Sequence, residues 1–356
     1  MRRASAASVE FRNVSKHFGA VVAVRSVSFV IEPGTLVTLL GPSGCGKTTT
    51  LRMVAGLDAP TEGQILIGGR DVTHLSPFER NVSMVFQSYA LFPHMSVLEN
   101  VAYGPLVQGD PKSDALSRAR ATLDMVGLKG LDERFPSELS GGQQQRVAVA
   151  RGLVLEPEVL LFDEPLSNLD AKLRRRVRQD IRRLQRDLNL TVIYVTHDQE
   201  EALAVSDRII VMSEAVIAQS GTPRELYEHP KSEFIAGFIG DANMVSAELV
   251  SIQAGRARIR VKELEVELPA AGFQPGPVRL SIRPESLRLH SAPPARPTLS
   301  GKIEMTDYLG SCMEYLVQSS LGVLFAVDSR VSHPFAPGTS VWIELDDRGV
   351  TLVPKS

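Results

Sequence analysis

Residues 41–48 read "GPSGCGKT", and Gly41, Gly44, Gly46, Lys47 and Thr48 fit the spacing G-x-x-x-x-G-K-[ST]. The apolar run "LVTLL" leads into this stretch, and the helical pattern "KTTTLRMVAGL" leaves it. Glycines so spaced let backbone N–H groups close around a β-phosphate. A lysine at the end of the loop reaches β- and γ-oxygens, and the following hydroxyl takes Mg²⁺. The loop alone does not separate ATP from GTP. A chance Gly-rich turn is the competing reading, and the strand–loop–helix context stands against it.

Further candidates end other apolar runs. "VLLFDEP" (159–165) reads as a buried strand closing on two acids. Asp163 there can hold Mg²⁺ directly or through water, and Glu164 can polarise an attacking water. Alone, the pair could equally be two solvated strand-end acids. His197 follows "TVIYVT", and Gln87 follows "VSMVF". Ligands of open α/β sheets sit at the carboxyl ends of strands. His197 can therefore bond a γ-phosphate, and Gln87 can touch Mg²⁺ or the attacking water. Their plain alternatives are a surface histidine ahead of "DQEEALAV" and an exposed glutamine. "LSGGQQQR" (139–146) adds a Ser and two Gly at the start of a helix. Free N–H groups at such a start make a second anion cradle, which raises the question of whether both cradles hold one phosphate.

These residues need a sheet to hold them. Residues 8–40 alternate apolar and polar, and strand patterns recur at 64–69, 82–86, 159–163 and 191–195 with helices between. Strands alternating with helices define an α/β core. From 88 to 158 the pattern is helical, which predicts a lobe inserted into the sheet domain. After about 240, short alternating strands such as "RARIRVKELEVEL" and "SVWIEL" take over, broken by "HSAPPARPTLSG". The expectation is therefore a domain over 1–240 and a small all-β, barrel-like domain over 241–356. Segments 248–291 and 300–353 are too weakly alike to count as repeats.

The bulk numbers set limits. A chain of 356 residues exceeds what one core usually supports. Lys+Arg at 39 against Asp+Glu at 41 argues against general nucleic-acid binding. No apolar run approaches the ~20 residues that span a bilayer. The start, "MRRASAASVEF", lacks the apolar stretch of a secretory signal and reads as a short tail. Two cysteines, Cys45 and Cys312, suit a reducing compartment rather than a disulfide framework. Lys47 and the loop N–H groups beside Cys45 favour its thiolate; the alternative is a shielded loop filler. In "LRRRVRQDIRRLQRDL" (173–188), Leu173, Val177, Ile181, Leu184 and Leu188 form one stripe, so the arginines read as a solvated outer face.

In this order after the phosphate loop, Gln87, "LSGGQQQR", "LLFDEP", "LSNLD" and His197 resemble the ATP-binding subunit of an ABC transporter over about residues 8–240. The resemblance implies an α/β P-loop NTPase core with an inserted helical lobe. It implies that ATP and Mg²⁺ are held by Gly41, Pro42, Ser43, Gly44, Cys45, Gly46, Lys47, Thr48 and Thr49, with Gln87 and Asp163. It makes Glu164 the base, His197 the switch histidine, and Phe18 the adenine platform, where the residue alone could equally be a strand-end core position. It puts Asp170 in a loop that crosses to a partner. It implies a homodimer in which Ser140, Gly141, Gly142 and Gln143 of one chain close over the γ-phosphate held by Lys47 of the other. Membrane permease subunits and an extracytoplasmic solute-binding protein follow as partners, no nucleic acid does, and the implied place is peripheral, on the cytoplasmic face of the membrane. The phrases "NVSMVFQSYALFPHMSVLENVAYG" and "SIRPESLRL" resemble the solute-importer branch with a C-terminal TOBE domain. That branch handles ferric iron, polyamines, sugars and phosphonates, with ferric iron the nearest in phrasing. Tyr89, Phe92 and Met95 are candidates to line a groove for a permease helix, or else they pack inside the lobe. Gly152 and Glu214-Ala215 depart from the usual residues without touching nucleotide. Two rivals remain at this point: a soluble ABC ATPase acting on DNA or ribosomes, and a non-hydrolysing ATP-dependent regulator.

Overall fold

The alternating residues of 9–31 make a hairpin, and the unbroken apolar runs make the strands buried between layers. A computed structural model describes residues 6–354 except Asn168, Ala271 and Asp347. The N-terminal tail and part of "LSNLD" thus lie partly outside the described residues. In chain order come β1 (Val9–Phe18), β2 (Val21–Ile31), β3 (Leu36–Leu40), α1 (Lys47–Ala55), β4 (Glu62–Ile67), β5 (Arg70–Asp71) and β6 (Val82–Val85). The lobe supplies α2 (Val97–Val107), α3 (Lys112–Met125) and α4 (Gly141–Leu153). Then follow β7 (Val159–Asp163), α5 (Ala171–Leu188), β8 (Thr191–Val195), α6 (Gln199–Val205), β9 (Arg208–Ser213) and β10 (Val216–Gly221).

Two sheets result. An antiparallel one has the order β2-β1-β4-β5, and a six-stranded one has the order β10-β9-β3-β8-β7-β6, parallel except for β10. Every residue of β3 and β8 is buried, as a strand covered on both faces requires. Register aligns the carboxyl ends: Leu39 and Asp163 both pair with Val195, and Val85 pairs with Phe162. The residues just beyond those ends, Gly41, Gln87, Glu164 and His197, therefore share one edge. One core lies between the two sheets around Phe11, Leu39, Leu51 and Ile193. A second joins the lobe to the other face of the parallel sheet through Val101, Leu123, Val147 and Phe162. The predicted stripe on α5 faces this second core: Val177 and Ile181 are buried, with Leu173, Leu184 and Leu188 partly so.

Capping boxes start two lobe helices, Ser96 with Glu99 and Ser140 with Gln143. Wholly buried Asn100 fixes the segment that enters the lobe. Its Nδ2 donates to the carbonyls of Phe92, Met95 and Ser96 at 3.0–3.1 Å, and its Oδ1 accepts from Phe92 N–H.

The change of sequence texture falls near residue 240, whereas the chain divides into compact units between Pro223 and Arg224. The reason is Arg283, 1% exposed in the β region. Its guanidinium donates to the carbonyls of Tyr227, Ala236 (3.0 Å) and Ile239 and lies over the Tyr227 ring at 3.9 Å. So α7 (Pro223–Glu228), beyond its first residue, and α8 (Glu233–Phe238) fold with the β region.

The remaining strands are β11 (Asn243–Gln253), β12 (Arg256–Val261), β13 (Leu264–Pro269), β14 (Gly276–Ile282), β15 (Leu287–His290), β16 (Leu299–Tyr308), β17 (Met313–Ser319), β18 (Gly322–Asp328), β19 (Ser340–Leu345) and β20 (Val350–Val353). They form the sheets β13-β12-β11-β14-β20 and β15-β19-β16-β17-β18 around a common core. Each half of the sequence gives a strand to the other's sheet: β15 pairs with β19, and β20 pairs with β14.

Candidate functional site

The loop after β3 has the backbone that its glycines permit. Gly41, Gly44 and Gly46 have φ of +153°, +79° and +103°. A Cβ at Gly41 would lie 2.2 Å from Met212 O, and one at Gly46 would lie 2.3 Å from Ala23 O. Lys47, 6% exposed, donates to the carbonyls of Gly41 and Pro42, both at 2.8 Å. Among the described residues it forms no ion pair, so its charge rests on neutral oxygens at the start of α1. With Ala23, Ser43, Gly44, Gly46, Thr48, Thr49 and Glu164 it lines a cavity of about 220 Å³. An ammonium and a helix N-terminus facing such a hollow attract a phosphate.

Acids and hydroxyls form the other wall. Thr48 Oγ1 donates to Asp163 Oδ1 at 3.3 Å. Burial pushes the Asp163 carboxyl above its ordinary range and neighbouring Glu164 adds to this, against the opposing pull of Thr48 and Arg52. Glu164 has φ +44°, a left-handed conformation uncommon for a non-glycine residue. Its N–H donates to Val195 O at 3.0 Å, and its carbonyl accepts from Ser167 Oγ at 3.0 Å. Its Oε2 lies 3.1 Å from His197 Nδ1, and His197 is otherwise exposed. Gln87 Nε2 donates to Ser167 Oγ at 3.2 Å. Gln87, Asp163, Glu164 and His197 thus gather at one sheet edge with Lys47 and Thr48.

The second cradle stands apart. Ser140 Oγ accepts from Gln143 N–H, and Gln143 Oε1 accepts from Ser140 N–H at 2.9 Å. Ser140 is exposed, and no residue of 139–146 lines the cavity around Lys47. Behind it, Cβ atoms at Gly141 and Gly142 would meet Leu169 at 3.1 Å and Leu173 at 2.7 Å, so the start of α5 packs against the start of α4. Asp170 caps α5, accepting from Leu173 N–H at 2.9 Å. Phe18, at the end of β1, is 49% exposed, with Lys16 Nζ 4.7 Å from its ring centre. It is therefore a surface aromatic, not a core residue.

At Cys45 and Tyr89, each left with two readings, the structure favours the shielded filler and the packed core residue over the reactive thiolate and the groove. Cys45 is 5% exposed, and burial raises its thiol above the ordinary range despite Lys47 at 3.8 Å. The thiolate is thus disfavoured, because desolvation outweighs one nearby cation. Tyr89 lines no groove: it is 6% exposed and packs in the lobe's core. Phe92 and Met95 are partly exposed, and Phe92 packs on Tyr103 with ring centres 4.8 Å apart.

Sequence reading passed over the supports of the site. Arg151 donates to the carbonyls of Tyr89 (2.9 Å) and Ala90 (2.6 Å), both at positive φ, and holds the turn after Gln87. Buried Glu201 accepts from Tyr194 OH and from Thr196 Oγ1 (2.7 Å), fixing the residue before His197. The signal for Glu201 was present: Asp198 with Glu201 three residues on is a helix-start pattern.

A phosphate loop on a parallel sheet, strand-end acids and a histidine at the same edge, and a capped Ser-Gly-Gly turn on an inserted lobe together define an ATP-binding cassette. A family profile described as ABC transporter matches residues 24–167, and one described as TOBE domain matches 280–353. Fe(3+) ions import ATP-binding protein FbpC 1 of Rhizobium meliloti (strain 1021) is 58% identical over 346 residues, which cover 97% of this chain and 98% of that protein. Spermidine/putrescine import ATP-binding protein PotA of Acidothermus cellulolyticus is 45% identical over 94% of this chain and 91% of its own length. The ATP-binding cassette MJ0796, solved as a post-hydrolysis dimer bound to ADP and Pi, superposes with a TM-score of 0.54. It is 33% identical and covers 61% of this chain and 99% of its own. The chain belongs to the ABC transporter family, as an ATP-hydrolysing subunit that powers import. Among the described residues no helix is long and apolar enough to cross a membrane.

Proposed function

We propose that two copies of this chain bind two ATP molecules between them and drive ferric-iron import through separate membrane subunits. The chain would sit at the cytoplasmic face of the membrane. One observation carries the dimer: the cradle at 140–143 does not line the cavity around Lys47 of its own chain. In a two-fold pair each cradle meets the other chain's site. The ferric-iron assignment follows the relatives so named, and a polyamine is the second choice on the strength of the more distant relative.

The residues divide the work. Phe18 offers its exposed face to adenine. Lys47 exchanges two neutral carbonyls for β- and γ-phosphate oxygens, a stronger, charge-assisted contact. Glu164 accepts the proton of the attacking water. His197 holds the carboxylate of Glu164 from one side and bonds the γ-phosphate. Ser140 and the N–H groups of Gly141 and Gly142 from the partner chain close the γ-phosphate from above, and Asp170 sits at that contact.

Mg²⁺ fits this site. Thr48 and Asp163 present hard oxygens beside the cavity, and among the described residues no cluster of three or more His, Cys, Asp or Glu forms a protein cage. A cation that keeps its waters and phosphate ligands needs only one or two such groups. Thr48 and Asp163, with Gln87, would hold it, and it would neutralise phosphate charge during transfer.

Complementation tests the arrangement. Lys47→Ala and Ser140→Arg homodimers should each be nearly inactive. Mixing them places both lesions in one composite site and leaves the other intact. Turnover should return in the mixture, with ATP retained by the mixed dimer. Absence of both, with heterodimers confirmed, would falsify the trans assignment of Ser140.

A further inference from the structure

Arg174 stands in the first turn of α5, directly after the segment 164–170 that leaves the site. Its guanidinium reaches two loops at once. Nη1 donates to Asp198 Oδ2 at 3.3 Å, and Nη2 donates to Leu169 O at 3.2 Å. Its Nε is buried and has no partner among the described residues. A buried polar atom left without a bond calls for an explanation. The two Nη bonds supply one: the side chain is stationed for what they join.

What they join is the site's far side. Asp198 follows His197 directly. Its Oδ1 accepts from Glu201 N–H at 3.0 Å, and its own N–H donates to Thr196 Oγ1 at 3.0 Å. Both neighbours of His197 are therefore fixed, Thr196 by Glu201 and Asp198 by Arg174. At the other end, Leu169 adjoins Asp170, and its side chain packs where Gly141 approaches. The same segment begins at Glu164, and Ser167 ties it to Gln87.

We propose that Arg174 is a positioning residue that transmits the placement of Leu169 and Asp170 to His197 through Asp198. This rests on the reading of Glu164 and His197 given above. When the partner chain seats against Leu169 and Asp170, Leu169 O moves or stiffens, and the guanidinium carries that change to the residue beside His197. The His197–Glu164 contact, already 3.1 Å in the single chain, is then held in place as the dimer closes. Only a fork serves both acceptors. A lysine ammonium can keep the ion pair with Asp198 but cannot hold Leu169 O in the same plane.

The experiment is a double-mutant cycle on the full chain with Arg174→Lys and Asp198→Asn. Asn is as good a helix cap as Asp, so Asp198→Asn removes the charge and keeps the start of α6. Each single variant should lower kcat about tenfold, while ATP binding and melting temperature stay at wild-type values. The double variant should fall no further than the lower single. A purely structural role would instead move melting and ATP binding together with kcat. Wild-type kcat in Arg174→Lys, or losses that multiply in the double variant, would overturn the proposal. Should Arg174→Lys fail to fold, Asp198→Asn alone decides, and wild-type kcat there overturns it equally. Glu164→Gln runs alongside. Normal turnover in that variant refutes the reading of the site itself, whereas its loss with normal Arg174→Lys turnover refutes only the bridge.

Discussion

Gly152 sits inside α4, the helix whose first residues form the second cradle, and it should be improvable. A glycine in a helix interior costs about 1 kcal/mol relative to alanine, an upper bound at Gly152, the last residue but one of α4. The new methyl would be buried, worth ~0.8 kcal/mol more. Against this stands Leu160, whose Cδ1 would lie 3.2 Å from the added Cβ; Ser83 Cβ and Val85 Cγ2 are at comfortable distances of 3.6 and 3.8 Å. Overpacking in a full core costs roughly 1–3 kcal/mol. Leu160 is not fully hemmed in, however: it borders a cavity of about 10 Å³ shared with Leu153, Ile181 and Leu190. It can yield by the few tenths of an ångström required, which puts the opposing cost at the low end. The balance is about 1 kcal/mol in favour of Gly152→Ala, a rise of about 2–4 °C in the melting of the unit ending at Pro223. Differential scanning with and without ATP checks this. An unchanged or lowered melting temperature would mean that crowding at Leu160 wins. A Leu160→Val background separates the terms: with the squeeze relieved, the alanine gain should grow, and a gain that shrinks refutes the reasoning.

Two further outcomes concern the chemistry. Glu164→Gln keeps the size and the left-handed backbone but cannot take a proton. It should bind ATP, turn over ~10²–10⁴-fold more slowly and elute as an ATP-held dimer from a sizing column; near wild-type turnover sinks the base assignment. Burial raises the Cys45 thiol, so the thiolate that alkylates is scarce at pH 7 and gains only as pH climbs past the ordinary thiol range. Maleimide at pH 7 should therefore label Cys312, which is partly exposed, and spare Cys45. Mass mapping that finds Cys45 labelled first contradicts the burial argument.

What could be read from the sequence was local. The phosphate loop, the anion cradle at Ser140 and the acids closing β7 each occupy eight residues or fewer, and backbone sterics, a helix start or strand ends dictate their roles. What escaped depends on distant partners. Tyr89 is buried because Arg151, far along the chain, holds the Tyr89 and Ala90 carbonyls in a left-handed turn. Cys45 is buried under the tight turn where a Cβ at Gly41 would touch both Met212 O and Cys45 Sγ. The division at Pro223 follows from Arg283 reaching back to α7 and α8, which no change of texture announces. The arginines of α5 read as one solvated face because the stripe rule sees only the apolar residues. Arg174 and Arg182 in fact bridge to Asp198 and Asp207.

The placement of strain and burial bears on when the site works. Asp163 is pushed toward its neutral form, Glu164 is held at positive φ, and Lys47 leans on carbonyls, so the isolated chain keeps its reactive groups in unfavourable settings. Such settings persist only where the surrounding structure fixes them, and bound ligand can relieve them. In the proposed reading Mg-ATP would supply the countercharge that Asp163 and Lys47 lack. It does not supply the Ser-Gly-Gly turn, which lies outside the chain's own cavity. In the dimer proposed above, nucleotide binding and hydrolysis would therefore require different things: the first one chain, the second two. On that proposal a subunit holds ATP while waiting and fires only when the partner's cradle arrives, which is the order of events an importer needs if fuel is not to be spent on an empty permease.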